Sequence, residues 1–180
     1  MSIEVITQTL LSELEEKTEK QLQFAISVLQ NLNENVLQQP SSNGGWSIAQ
    51  CLWHLNSYGD YYLPKIENGL KTPVQETVIF KSSWLGSRFT RMMQPGNGKY
   101  KAFKDHVPPV NPDAREVIAT FIQQLEQLLL LLRQAKGHNL NSIKIPVSIS
   151  RFIKLKLGDV FSFLVAHNQR HLEQAKRNLN

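Results

Sequence analysis

Leu157-Gly158-Asp159-Val160-Phe161-Ser162-Phe163-Leu164-Val165-Ala166-His167-Asn168-Gln169-Arg170-His171 spaces its apolar residues at helical intervals. Val160, Leu164, His167, His171 and Ala175 fall on one line of an α-helix. Two histidines four residues apart sit ~40° apart around the axis and one turn apart along it. Both rings therefore point where the apolar side chains point, into a helical core. The periodicity predicts a helix over about Gly158 to Asn178.

Working outward, three more helices are predicted. The first runs from about Ile3 to Leu37, a span without Gly or Pro whose apolar residues include Ile6, Leu10, Leu14, Leu22, Leu29 and Val36. The second starts at Ser47, with Gln50 three residues on as a capping box, and runs to about Asn68, with Gly69 as its stop. Trp46 precedes the cap, where an apolar ring can staple the first turn. Pro64 inside this span is expected to kink the helix or end it early. The third opens at Asn111-Pro112-Asp113, with proline at the first helical position, and stops at Gly137. Leu125 to Leu132 is apolar on more than one face, which places this helix at the bundle centre or in a dimer interface.

Residues 70–111 lack helical periodicity and are rich in Gly, Pro and Ser. A connection of that length is expected to carry short elements of its own or a function. Residues 138–157 are a mixed stretch with Pro146. The pattern is all-α: an antiparallel four-helix bundle with a long crossover between helices 2 and 3, in a single domain over 1–180.

Composition narrows the function classes. One cysteine, Cys51, excludes an internal disulfide framework and a thiolate-rich zinc site. No signal peptide is read at the N-terminus. The longest apolar run, Leu128 to Leu132, is far short of the ~20 residues of a membrane span. A cytoplasmic protein without membrane attachment is expected.

Charge is unevenly placed on a chain of net charge +5. Residues 1–40 carry six acids against two lysines, whereas 81–104 carry Lys81, Arg88, Arg91, Lys99, Lys101 and Lys104 with no acid. With Trp84, Phe89, Tyr100 and Phe103 between them, these bases suit phosphates and stacked bases. They equally suit a solvated loop whose aromatics tuck onto the core. The second reading is preferred, because no nucleic-acid motif accompanies them.

The histidine pair reads either as two buried rings bonded to neighbours or as two metal ligands. It is not the zinc-protease signature, because Asn168 stands where that motif needs a glutamate. His54 adds weight to the metal reading. It lies on the line Ser47, Cys51, His54, Tyr58 and Tyr61 of the second helix, at the edge of the apolar stripe. Three inward imidazoles are poor core filling, since each ring has two nitrogens to satisfy. Three nitrogen ligands would leave an open coordination position. Cys51, one turn before His54, reads as a small core residue rather than a thiolate ligand. His106 is expected at the surface, His138 at a helix end where a cation favours the dipole. Asp60 and Asp159 are the nearest carboxylates in sequence to the histidines.

Gly45-Trp46-Ser47-Ile48-Ala49-Gln50-Cys51-Leu52-Trp53-His54-Leu55 resembles the first motif of the DinB/YfiT-like superfamily. The stretch Leu157 to His171 resembles its second. The resemblance covers nearly the whole chain in helix order and length. It implies a divalent metal (Zn, Ni or Fe) on His54, His167 and His171, in a family that includes thiol-dependent S-transferases and a maleylpyruvate isomerase. It thus implies a metal-dependent enzyme with a small-molecule substrate and a low-molecular-weight thiol as co-substrate. Arg88, Arg91 and Tyr58 are the residues expected to bind that substrate, and Arg170 is expected to face away from it. The alternative is a non-catalytic, metal-stabilised binding or dimerisation module of stress response. Homodimerisation through the leucine-rich third helix is expected in either case. The family often has Thr or Ser before the last helix. Here Lys156 stands there, with Asp159 as the substitute cap.

Overall fold

The computed structural model describes residues 4–42, 44–98 and 100–179. Ile3, at the expected start of the first helix, and Lys99, among the expected bases, lie outside the described residues. In chain order the elements are β1 (Glu4–Ile6), α1 (Thr7–Ser27), α2 (Glu34–Gln38), α3 (Ile48–Gly69), β2 (Ile79–Lys81), α4 (Trp84–Met93), α5 (Ala114–Gln134), β3 (Lys144–Val147), β4 (Ser150–Lys156) and α6 (Leu157–Lys176). Four long helices, α1, α3, α5 and α6, form the bundle.

Polar ties between helices set their directions. Arg115, in the first turn of α5, donates to the carbonyl of Gln30 beyond the end of α1, while Arg133 near the other end of α5 pairs with Glu15 and Glu19. These two helices run antiparallel. The Asn56 amide donates to the Val117 carbonyl, and Gln124 donates to Asp60, so α3 and α5 run parallel. Asn178 donates to the Trp46 carbonyl while Tyr62 meets Phe163, so α3 and α6 are antiparallel. Two helices thus run each way. The long crossover carries the chain back along the bundle, so that α5 begins at the end where α3 began.

The core lies in two bodies along the bundle. One gathers Leu11, Tyr62, Ile66, Leu132, Leu155 and Phe161, and the other gathers Leu29, Leu37, Ile48, Leu52, Phe121 and Leu172. Leu128, Leu129, Leu131 and Leu132 are all buried, and Leu130 alone of the run faces out, 57% exposed. The leucine-rich stretch is therefore spent inside the bundle. The apolar surplus on which a dimer was expected shrinks to one side chain. No helix among the described residues is long and apolar enough to cross a membrane.

Several boundaries differ from the sequence expectation. The first helix ends at Ser27, followed by a 3-10 turn at Leu29–Asn31 and the short α2. Two asparagines make the break: Asn31 donates to the carbonyls of Ile26 and Ser27, and Asn33 caps α2 by accepting from the Val36 N–H. Side-chain amides that bond nearby backbone compete with the helix itself. By contrast, α3 runs unbroken through Pro64, which lies on its exposed face. The cap of α5 is Asp113, which accepts from the N–H groups of Arg115 and Glu116, so Pro112 stands outside the helix. The mixed stretch is the antiparallel hairpin β3–β4, and β1 pairs with β2.

Asp159 does not cap its own helix. Its buried carboxylate accepts from the Ser82 hydroxyl and from the N–H and hydroxyl of Ser83. Ser83 in turn caps α4 by accepting from the Gly86 N–H. The crossover helix is thus pinned to the start of α6, where a Cβ on Gly86 would overlap the Asp159 carboxyl.

Candidate metal centre

The predicted capping box is present. Ser47 accepts from the Gln50 N–H and Gln50 accepts from the Ser47 N–H. It starts α3 so that His54 faces inward two turns later, 4% exposed. From the antiparallel α6 come His167 and His171, also buried. The three ring centroids lie 4.7 to 5.0 Å apart, and one nitrogen from each ring lies within 4.8 Å of the others. The convergence expected of these histidines is therefore met in space.

Hydrogen bonds orient two of the rings. His54 Nδ1 lies 2.6 Å from the carbonyl oxygen of His106. A carbonyl only accepts, so this nitrogen carries the proton and Nε2 is bare. His171 Nδ1 lies 3.0 Å from Gln174 Oε1, which likewise leaves His171 Nε2 bare. The bare Nε2 of His54 faces His167 Nε2 at 3.1 Å. His167 Nδ1 is buried without a hydrogen-bond partner among the described residues. A proton on His167 Nε2 serves at most one of the two bare nitrogens.

The electrostatics keep the rings uncharged. Burial pushes His54 down to about 4. Burial, then His54, pushes His171 down to about 3. His167 is held well below its ordinary value by burial first and by the other histidines second. Neutral imidazole is the form that ligates a metal. Cys51 is fully buried, and burial pushes its thiol up to about 12. It is core, not a thiolate.

A cavity of about 850 Å³ opens onto the histidines. Its floor is His54, Tyr58, His167 and His171, and Trp46 stacks on His171 at 5.8 Å between ring centroids. Trp46 thus lies against two of the three histidine rings. Crossover residues from Met92 to Phe103 form one wall. Tyr58, expected to contact substrate, lines the cavity. Arg88 and Arg91 do not. Both are exposed on α4, and Arg88 lies over the Trp84 ring. They sit there because α4 buries Gly86 against Asp159 and turns its long polar side chains to solvent. Among the described residues, the cations that reach the cavity are Lys101, Arg170 and Arg177.

Arg170 departs from its expected place. It donates to the carbonyls of Met92, Gln94 and Gly98 and lies over the Tyr100 ring. It stitches the crossover wall to the helix that carries both histidines. His106 also departs from expectation. It is 6% exposed, its ring stacks on Tyr58 at 3.9 Å, and its Nδ1 meets Ser57 Oγ at 2.8 Å. Its position in a Pro-rich stretch far from the other histidines gave no periodicity to read. His138 is buried as well. Neither sequence-near carboxylate joins the site: Asp159 holds α4, and Asp60 accepts from Gln124.

The sequence profile of the DinB superfamily matches residues 17–175. No curated protein sequence matches the chain. Among solved structures, the chain is similar to YfiT from Bacillus subtilis, described as a probable metal-dependent hydrolase with an unusual four-helix bundle topology. That similarity has a TM-score of 0.56 at 16% identity, covering 96% of this chain and 85% of YfiT. The fold is therefore shared, and the match across nearly all of the sequence assigns the chain to the DinB superfamily.

Proposed function

We propose that the chain is a divalent-metal-dependent enzyme in which His54, His167 and His171 hold the ion, and that it joins a small thiol to a small electrophile. The observation that carries the metal assignment is the convergence of three neutral rings, one nitrogen of each within 4.8 Å of the others, with His54 Nε2 bare and 3.1 Å from His167 Nε2 and with His171 Nε2 bare as well. Nitrogens of a tetrahedral zinc site, each ~2.0–2.1 Å from the ion, lie ~3.3 Å apart. The 3.1 Å between His54 and His167 is close to that spacing. Imidazole ligation suits zinc, nickel and iron alike.

A divalent ion on three histidines, with a position left open, supplies a deprotonated water or thiol at neutral pH. The chain's own groups favour the thiol. Among the described residues, Glu173 is the carboxylate that lines the cavity, and Gln169 and Lys176 already engage it. Burial raises the Tyr58 phenol well above its ordinary value, which makes it a poor proton donor at neutral pH. Hydrolysis of an ester or amide needs a proton delivered to the leaving group. Joining a thiol to an electrophile with a stable leaving group does not: an S–C bond forms, the leaving group departs with its electron pair, and the thiol proton passes to solvent. Trp46 and the crossover wall line the cavity beside the histidines, while Lys101 and Arg177 offer exposed charge there to an anionic co-substrate.

Hydrolysis is the second reading, favoured by the description of YfiT, which shares the fold. A screen of low-molecular-weight thiols against haloalkane acceptors, beside chromogenic esters and amides, separates the two. Wild type with zinc is expected to consume thiol and acceptor together, and His54→Ala is expected to lose at least 100-fold. Turnover of the esters without thiol would move the assignment to hydrolysis. Metal binding with turnover of neither class would leave a metal-stabilised binding module.

A further inference from the structure

We infer that His106, on the crossover, is a positioning residue of the metal centre. This inference rests on the metal assignment above. The crossover turn Lys104–His106 presents the backbone carbonyl that receives the Nδ1–H of His54. That bond sets which nitrogen of His54 is bare and where it points. Groups that receive the distal N–H of a ligating histidine raise its basicity and fix the ring, and their loss typically costs ~10–100-fold in metal affinity.

The carbonyl is held in place by the side chain of its own residue. The Ser57 hydroxyl donates to the His54 carbonyl at 2.7 Å, so its oxygen is left to accept from His106 Nδ1–H at 2.8 Å. The His106 ring lies nearly parallel on Tyr58, at 25° and 3.9 Å between centroids. Within the turn itself the His106 N–H donates to the Phe103 carbonyl. His106 therefore closes a loop of contacts: its ring is docked on Ser57 and Tyr58 of α3, and its carbonyl returns to His54 on the same helix. The neighbouring tie, Gln50 to the carbonyls of Pro109 and Val110, lies a turn nearer the start of α3 and does not reach His54. A long connection, whose sequence shows no helical period, thus supplies part of the site.

The test measures Zn²⁺ affinity of the full chain by competition with a chromophoric chelator, together with the ligand-field spectrum of the Co²⁺-loaded protein. His106→Ala is expected to weaken zinc binding about 10-fold or more and to shift the cobalt bands, because His54 loses its fixed orientation. Ser57→Ala keeps the ring but removes its anchor, and is expected to weaken binding several-fold. It also guards against misfolding of the first variant. His138→Ala, at another buried histidine, is expected to leave zinc affinity and the cobalt spectrum unchanged. Wild-type affinity and spectrum in both His106→Ala and Ser57→Ala would overturn the inference while leaving the metal assignment intact. A wild-type chain that takes up neither ion would overturn both.

Discussion

His54 Nε2 and His167 Nε2 face each other across 3.1 Å in a pocket whose burial keeps both rings uncharged. In the metal-free chain this arrangement ties stability to pH. An unfolded histidine titrates near ~6.5, whereas folded His54 and His171 are held down to about 4 and about 3. Above pH ~6.5 neither state binds a proton at these rings, and stability is full. As pH falls from there toward 4, the unfolded chain takes up protons that the folded chain refuses. Stability then drops by up to ~1.4 kcal/mol per pH unit for each ring. Arg170 and Arg177 push His171 the same way and Gln174 opposes, while the His106 carbonyl opposes the shift of His54. The urea midpoint of chelator-treated protein is expected to be clearly lower at pH 5.0 than at pH 7.5. A flat midpoint would contradict the burial of neutral rings.

Arg170→Ala is expected to loosen the crossover rather than the bundle. The guanidinium is the link from α6 to the carbonyls of Met92, Gln94 and Gly98. Hydrogen bonds to a charged group contribute ~1.5–3 kcal/mol when well protected, and here one is part-buried and two are exposed. Trypsin should cut after Lys101 several-fold faster in the variant, with the melting temperature of the whole chain lowered by only a few degrees. Equal cutting rates would show that the wall is held by other contacts.

Asp159→Ala should be among the costliest polar substitutions in the chain. It removes the acceptor for three donors of Ser82 and Ser83 at a position 1% exposed. Breaking such a buried charged network costs about 3 kcal/mol or more. Gly86→Ala should destabilise through the same contact, by ~1–3 kcal/mol, because the added methyl overlaps the Asp159 carboxyl. Denaturant melts measure both. A neutral Asp159→Ala would mean that α4 does not depend on its tie to α6.

Cys51 gives a simple check on packing. Its thiol is fully buried and pushed up to about 12 by that burial. It is expected to be inert to a thiol reagent at pH 8 until the chain unfolds, with labelling that tracks the unfolding transition. Prompt labelling of the folded chain would place α3 differently.

The bundle and three of its histidines were legible because each signal is local and periodic. Ser47 and Gln50 mark a helix start, and the spacing of His167 and His171 puts both rings on the apolar face. What the sequence hid depends on partners distant along the chain. Asn31 and Asn33 break the first helix through side-chain bonds to backbone, with no Gly or Pro to flag it. The hairpin Lys144–Lys156 shows no clean alternation, because only one end of β4 is buried. His106 and Arg170 act through backbone carbonyls of the crossover or upon them, and no residue type announces such an acceptor. The basic stretch supplies Lys101 to the cavity wall, while Arg88 and Arg91 point to solvent because Gly86 and Asp159 set how α4 lies.

That three imidazoles hold one ion is tested by elemental analysis of the purified chain after incubation with excess Zn²⁺ and gel filtration. One zinc per chain is expected for wild type and less than a tenth of that for His167→Ala, with the helical circular-dichroism signal retained in both. Zinc absent from wild type, or retained in full by His167→Ala, would contradict it.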